Sequence, residues 1–294
     1  MTAAAPSFDT LAASRPEWRP WLRVFAEARR ACADERWRDF VPDVADTQPA
    51  DAPRLAGAAI TLDAHVAGDL LRAMALAAAE AGGPAATLGT ARITKDVALS
   101  LLDASINEDT ARVVELAQSL GADPGALGAV SALAAMPLLH ACREAWRAEL
   151  FEHWEAGYCP VCGAWPTLAE ACGLERARLL RCGRCGSSWT TEWLRCPYCG
   201  LRDHERLGAL VPDGGESRKV ETCSGCRGYV KTLAVLKACA PIDVRLRDLE
   251  TLELDVAALE RGFMRTASPG YQLGVSVSPL PRGGLIAALF GRRA

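Results

Sequence analysis

The chain has 294 residues, half of them hydrophobic and 23% charged, with a formal net charge of −3. This is ordinary globular composition at a length that suits two or three domains, which excludes a bulk-disordered chain. The stretch at 70–81 is the longest apolar candidate and is interrupted by Arg72 and Glu80, short of the ~18–20 residues of a membrane span. The first ten residues carry no basic, then apolar, secretory pattern, so a cytoplasmic location is expected.

Residues 1–156 read as helical. Within 17–40, Trp18, Trp21, Val24, Phe25 and Ala28 recur at three- and four-residue spacing. Pro42, Pro49 and Pro53 then mark a loop. An alanine-rich helix is predicted over 54–81 and stopped by Gly82-Gly83-Pro84. An apolar stretch runs from Val97 to Ile106. Asn107 is the expected N-cap of a helix over 108–120, with Gly121 as its C-terminal stop. The longest helix is predicted over 124–155, with Val130, Leu133, Leu138, Ala141, Ala145, Trp146 and Leu150 as its apolar stripe and a kink at Pro137.

After Gly157 the periodicity changes. Residues 177–181 and 188–194 suit short hairpin strands, and Pro212-Asp-Gly-Gly215 is a turn signal. A helix is expected over 246–264, with Leu249, Leu252, Val256, Leu259 and Phe263 on one side. The Gly- and Pro-rich tail from Ser268 reads as poorly ordered, apart from an apolar stretch at 285–290.

The cysteines carry the chemistry. Four Cys-x-x-Cys pairs lie between 159 and 226: Cys159/Cys162, Cys182/Cys185, Cys196/Cys199 and Cys223/Cys226. Eight thiols suit two four-sulfur metal sites, and the absence of an export signal argues against a disulfide framework. Cys159-Pro-Val-Cys-Gly163 and Cys196-Pro-Tyr-Cys-Gly200 are full knuckles. Cys182-Gly-Arg-Cys-Gly186 keeps the glycine, and Cys223-Ser-Gly-Cys-Arg-Gly228 has it one residue late. Each half repeats one plan: knuckle, insert, basic and apolar strand, second knuckle, then a strand bearing Trp189 or Tyr229.

Sequential pairing fits that repeat, with Cys159/162/182/185 as one site and Cys196/199/223/226 as the other. The 10-residue gap between Cys185 and Cys196 would also let the second and third knuckles share a metal, leaving the first and fourth to pair. Tetrahedral sulfur coordination suits zinc or a single iron. The tight spacing of a ferredoxin-type cluster is absent, and closed four-sulfur sites disfavour hydrolytic metal catalysis.

The remaining cysteines (Cys32, Cys142, Cys172, Cys239) and the histidines (His65, His140, His153, His204) read as packing or surface residues. Cys172, between two ligand pairs, is also a candidate redox thiol. Trp165, Trp189, Trp193 and Tyr198 are expected to pack around the metal modules. No phosphate-binding loop or dinucleotide fingerprint is present.

Residues 1–156 are acidic, with 14 Lys+Arg against 22 Asp+Glu. Residues 157–240 are basic, with 12 against 8. Each four-thiolate site with a divalent ion contributes −2, which cancels the basic excess and disfavours nucleic-acid binding.

The run Tyr158-Cys-Pro-Val-Cys-Gly-Ala-Trp-Pro166, then Cys182-x-x-Cys-Gly, Trp189-x-x-x-Trp193, Cys196-x-x-Cys and Cys223-Ser-Gly-Cys-Arg-Gly-Tyr-Val-Lys231, closely resembles the FdhE family. These are accessory proteins needed for active formate dehydrogenase. The likeness extends to Gly262-Phe-Met-Arg265, whereas the chain lacks the Asn-Pro-Phe-type ending of the family. The resemblance implies a multidomain α+β protein. An all-α bundle over 1–156 would precede two tandem rubredoxin-like (zinc-ribbon-like) β modules, over 157–194 and 195–240, and a C-terminal helix and tail over 241–294.

It further implies a non-enzymatic cytoplasmic assembly factor that binds the catalytic subunit of formate dehydrogenase. The eight paired cysteines would be its metal ligands, with iron as the family's expected metal. The alternative is a rubredoxin-like redox protein that passes electrons to a client's metal or thiol centre.

Overall fold

The computed structural model describes residues 8–44, 49–146, 154–213, 215 and 217–281. The expectations at Leu150, His153 and 285–290 lie outside the described residues. Helices α1 (Phe8–Ser14), α2 (Arg19–Cys32), α3 (Ala64–Ala79), α4 (Lys95–Ile106), α5 (Thr110–Leu120), α6 (Pro124–Ala134) and α7 (Met136–Ala145) precede the four Cys-x-x-Cys pairs. Strands β1 (Ala59–Leu62), β2 (Leu168–Cys172), β3 (Ala177–Arg181), β4 (Ser188–Thr190), β5 (Leu207–Leu210), β6 (Arg218–Cys223), β7 (Tyr229–Val235) and β8 (Ser276–Pro279) form two sheets. Helices α8 (Val244–Leu249) and α9 (Leu252–Glu260) follow β7.

The helix expected over 17–40 is divided. Residues α2 buries include Leu22, Val24, Phe25 and Ala28. It stops at Ala33, and Asp34 then caps a 3-10 turn over Glu35–Phe40 by accepting from Arg36 N at 3.0 Å. The helix expected from residue 54 starts only at Ala64, capped by Asp63. Residues 59–62 instead form β1, which pairs in parallel with β8. That pairing corrects the reading of the tail, since Leu273 and Val275 are buried and Ser276 N donates to Ala58 O.

Asp109, and not Asn107, caps α5 by accepting from Arg112 N. Asn107 closes α4 and its side chain bonds both backbone groups of Val275. Gly121 ends α5 in the left-handed region, as its position suggests. Pro137 sits in the first turn of α7, where its missing N–H costs little, and α6 and α7 meet at Ala135, whose backbone stays in the helical region. The run Pro124–Ala145 is long and apolar enough by length and composition to cross a membrane, contrary to the sequence reading. Yet 72% of its most apolar window is buried inside the fold, as in a core helix.

One six-stranded sheet, in the order β4-β3-β2-β7-β6-β5, carries both cysteine segments. Within it β2-β3-β4 and β5-β6-β7 are antiparallel meanders. The parallel pair β2·β7, Ala169↔Thr232 to Cys172↔Val235, joins them edge to edge. The two repeats therefore share one sheet. The helix expected over 246–264 is split at Glu250 and Thr251 into α8 and α9.

Buried charge holds the sheet's centre. Glu170 and Arg181, on adjacent strands, pair with side chains 0% and 2% exposed, and both also bond the backbone of Cys239. Lys231 of β7 is fully buried. Its ammonium reaches Asp248 and Asp255 at 2.6 Å each and the Asp248 carbonyl at 2.7 Å. Arg265 closes this network on the same two carboxylates. The α8–α9 break thus frees carbonyls for the buried ammonium, which needs such partners away from water.

Candidate metal centres

The four knuckles share one backbone plan. In the first three, the N–H four residues after the leading cysteine donates back to its carbonyl: Gly163 to Cys159, Gly186 to Cys182 and Gly200 to Cys196, at 2.9–3.0 Å. Those glycines have φ between 66° and 76°, a region costly for other residues. In the fourth knuckle Arg227 takes this position at φ 60°. Its guanidinium bonds the carbonyls of Arg261 and Gly262 and stacks on Phe263 at 4.4 Å. The glycine displaced to position 228 lies where a side chain would meet the Tyr198 ring.

The turns gather the eight sulfurs into two groups, Cys159/Cys162/Cys182/Cys185 and Cys196/Cys199/Cys223/Cys226, each with all sulfurs within 4.8 Å of one another. In the first, Sγ–Sγ distances are 3.4 Å (Cys159–Cys185), 3.5 Å (Cys162–Cys182) and 3.8 Å (Cys162–Cys185). In the second, Cys196–Cys226 and Cys199–Cys223 are both 3.7 Å apart. A tetrahedral ion with metal–sulfur bonds of about 2.3 Å places sulfurs about 3.8 Å apart, so both groups fit such an ion. Backbone N–H groups face the sulfurs: Arg184 N to Cys182 and Gly228 N to Cys226, both at 3.4 Å.

Four close thiols in one apolar place cannot all ionise unaided. Burial pushes the Cys159 thiol well above its ordinary range. Burial also works against Cys182, yet hydrogen bonds from Cys159, Cys162 and Cys185 hold it well below. Only a bound cation stabilises four thiolates together. The two groups could therefore hold metal ions, with every coordination position filled by sulfur.

The first cluster is seated against the helical half. Arg54 N and Leu55 N donate to the carbonyls of Pro160 and Val161, inside the first knuckle. Arg184, inside the second knuckle, is buried. It bonds Glu108 at 2.9 Å and the carbonyls of Ser105 and Ile106 at the end of α4. Gly186 packs against Pro241 and against His140 of α7, where a Cβ would fall within 2.8 Å of both. Burial lowers the His140 pKa to about 4, so the ring is neutral. The Arg in Cys-Gly-Arg-Cys was the one sequence signal for this clamp, whereas nothing local marks Glu108 or His140 as its neighbours.

The second cluster lies by the β6–β7 turn, in the other half of the sheet. A chain of rings, Tyr158 to Trp165 at 6.1 Å and Trp165 to Tyr198 at 5.3 Å, links the knuckles of the two sites. Trp189 is buried. Trp193 is 39% exposed and carries Lys219 Nζ 4.9 Å from its ring centroid. It borders a cavity of about 260 Å³ that reaches Cys196 and Cys223.

The other sequence candidates stay apart from both clusters' ligand groups. Cys32 and Cys239 are half-buried, with thiols raised to about 12 mainly by desolvation, and Cys142 is buried and raised further. Cys172 ends β2 beside the Leu236 carbonyl, 3.9 Å away. His65 contacts Lys95 at 2.7 Å on the surface, and His204 is exposed.

No family model matches the chain. An FdhE homolog from Aquifex aeolicus is 31% identical over 120 residues, 39% of this chain and 42% of that protein. An FdhE homolog from Shewanella baltica is 34% identical over 110 residues, 37% of this chain and 36% of its own length. Protein FdhE of Escherichia coli is 30% identical over 116 residues, 37% of this chain and 36% of that protein. The matched segments thus span less than half the length of these curated relatives. The crystal structure of the FdhE protein from Pseudomonas aeruginosa aligns with 93% of this chain and 99% of its own, at a TM-score of 0.50 and 21% identity, and so shares the fold. These matches bear out the resemblance to the FdhE family read in the cysteine motifs, over 37–39% of this chain.

Proposed function

We propose that the protein is a cytoplasmic, non-enzymatic accessory factor that binds the catalytic subunit of formate dehydrogenase and is needed for its assembly or activation. The reading rests on the FdhE relatives together with one structural observation: two groups of four sulfurs at tetrahedral spacing, closed to substrate. The eight paired cysteines are the metal ligands in this reading, two per knuckle and one ion per cluster, with iron or zinc as the ion. Residues 1–156 form the helical domain, 157–194 and 195–240 the two rubredoxin-like modules, and 241–294 the helical closure and tail. Helical surface and the exposed aromatic Trp193 supply the docking face.

Pull-down with the tagged chain from a native host recovers the dehydrogenase subunit on this reading, and deleting the gene lowers formate oxidation. Unchanged formate oxidation in the deletion strain overturns it. The ring chain Tyr158–Trp165–Tyr198 between the clusters favours a second reading, a rubredoxin-like carrier that passes single electrons between two iron sites. Reversible bleaching of a ferric-thiolate visible band supports that reading, and colourless zinc protein that sustains formate oxidation excludes it.

A further inference from the structure

The two clusters differ in what can reach their sulfurs. Cys159, Cys162, Cys182 and Cys185 are each at most 1% exposed. In the second cluster Cys196 and Cys223 are 4% and 2% exposed, but Cys199 and Cys226 are on the surface. The exposed pair takes one sulfur from each knuckle, the second cysteine in both. The leading cysteines face inward. One side of any bound ion would therefore be held by two buried cysteines and the other by two cysteines at the surface.

Two arginines lie near that open side. Arg227 follows Cys226 directly. The Arg206 guanidinium lies against Gly225, where a Cβ would come within 3.1 Å of it, and both arginines are exposed. These arginines offset part of the −2 that a four-thiolate site with a divalent ion presents to an approaching thiolate.

We propose that the second cluster is a metal-exchange site, which passes its divalent ion to and from an anionic thiol acceptor while the first cluster retains its own. This rests on the reading that both clusters bind metal. Each exchange step forms one metal–sulfur bond to the incoming thiolate and breaks one to Cys199 or Cys226. The displaced cysteine leaves as a thiolate and takes its proton from solvent, with no change of oxidation state. Cys196 and Cys223 anchor the ion until the outer two bonds have been replaced. The first cluster has no such stepwise route, because all four of its sulfurs are covered by packed structure and release needs that structure to open.

The test uses the full chain loaded with zinc and challenged with a chromogenic chelator, with and without glutathione. One equivalent is expected to leave at least about 10-fold faster than the other, in keeping with the free energy of opening a packed site. Its rate should rise with glutathione concentration. Iodoacetamide added after the fast phase should label Cys199 and Cys226, and Cys226→Ser should accelerate only that phase. Two bound ions released in a single phase, or labelling of Cys159, Cys162, Cys182 or Cys185 during the fast phase, overturns the exchange site. A chain that binds no zinc at all contradicts the metal reading itself, which is a separate outcome.

Discussion

Cys182 and Cys199 sit in turns of nearly the same backbone shape, yet one is sealed in the main core and the other meets solvent. The first cluster belongs to a continuous apolar core that includes Val24, Leu71, Leu102 and Leu139 of the helices. The second lies by a small core of Val220, Tyr229, Leu254 and Ala258. The comparison teaches that the knuckle sets sulfur geometry while its neighbours set access. The first cluster is a joint between the helical half and the sheet, and the second is carried by the β5-β6-β7 half of the sheet.

The strongest way to break that contrast is to remove one sulfur from each cluster. Structural four-ligand sites contribute on the order of 10 kcal/mol to folding, comparable to the whole stability of a domain. Cys182→Ser is therefore expected to abolish cooperative unfolding and lower helical circular dichroism. Cys199→Ser should leave the helical signal intact. Equal helix loss in both variants would show that the clusters are mechanically equivalent.

A smaller effect isolates the second half of the sheet. Lys231→Met leaves half-buried Asp248 and buried Asp255 with Arg265 as their cation, and breaking a buried pair in this way costs about 3–5 kcal/mol. Urea unfolding measures it, and a change within about 0.5 kcal/mol, typical of surface substitutions, would remove the network from this account. Arg184→Met tests the joint at the first cluster. Loss of its bonds to the carbonyls at the end of α4 should cost about 1–3 kcal/mol and loosen the first ion rather than the second.

The least expected effect is acid sensitivity. Burial opposes ionisation of Asp255, but Arg265 and Lys231 outweigh it and hold its pKa below the ordinary carboxylate value. A depressed folded pKa contributes stability above the unfolded value of about 3.9, and that stability is lost as pH falls through the folded value. Asp255→Asn should thus be less stable than the parent at neutral pH, with the gap closing below about pH 4 in acid titrations of unfolding.

Features governed by short-range chemistry were legible in the chain. The knuckles and the strand at 177–181 were read from local pattern, as was the stop at Gly121. Features decided by distant partners were not. Residues 59–62 lie in an alanine-rich run with helical character, and only β8, more than 200 residues later, makes them a strand. The parallel pairing of β2 with β7, which merges the repeats into one sheet, has no local signature. Asn107 lost the capping role because Asp109 is nearer the helix start and Val275 occupies the Asn107 amide. The break at Thr251 follows from Lys231, whose burial needs the carbonyls that a continuous helix would have used internally.

Metal content of the full chain purified without air, read against its serine variants, tests the central claim most directly. Two ions per chain are expected, with Cys196→Ser or Cys223→Ser retaining one and keeping the helical fold. A parent chain that binds a single ion through cysteines of both groups, or none, would contradict two separate four-sulfur centres.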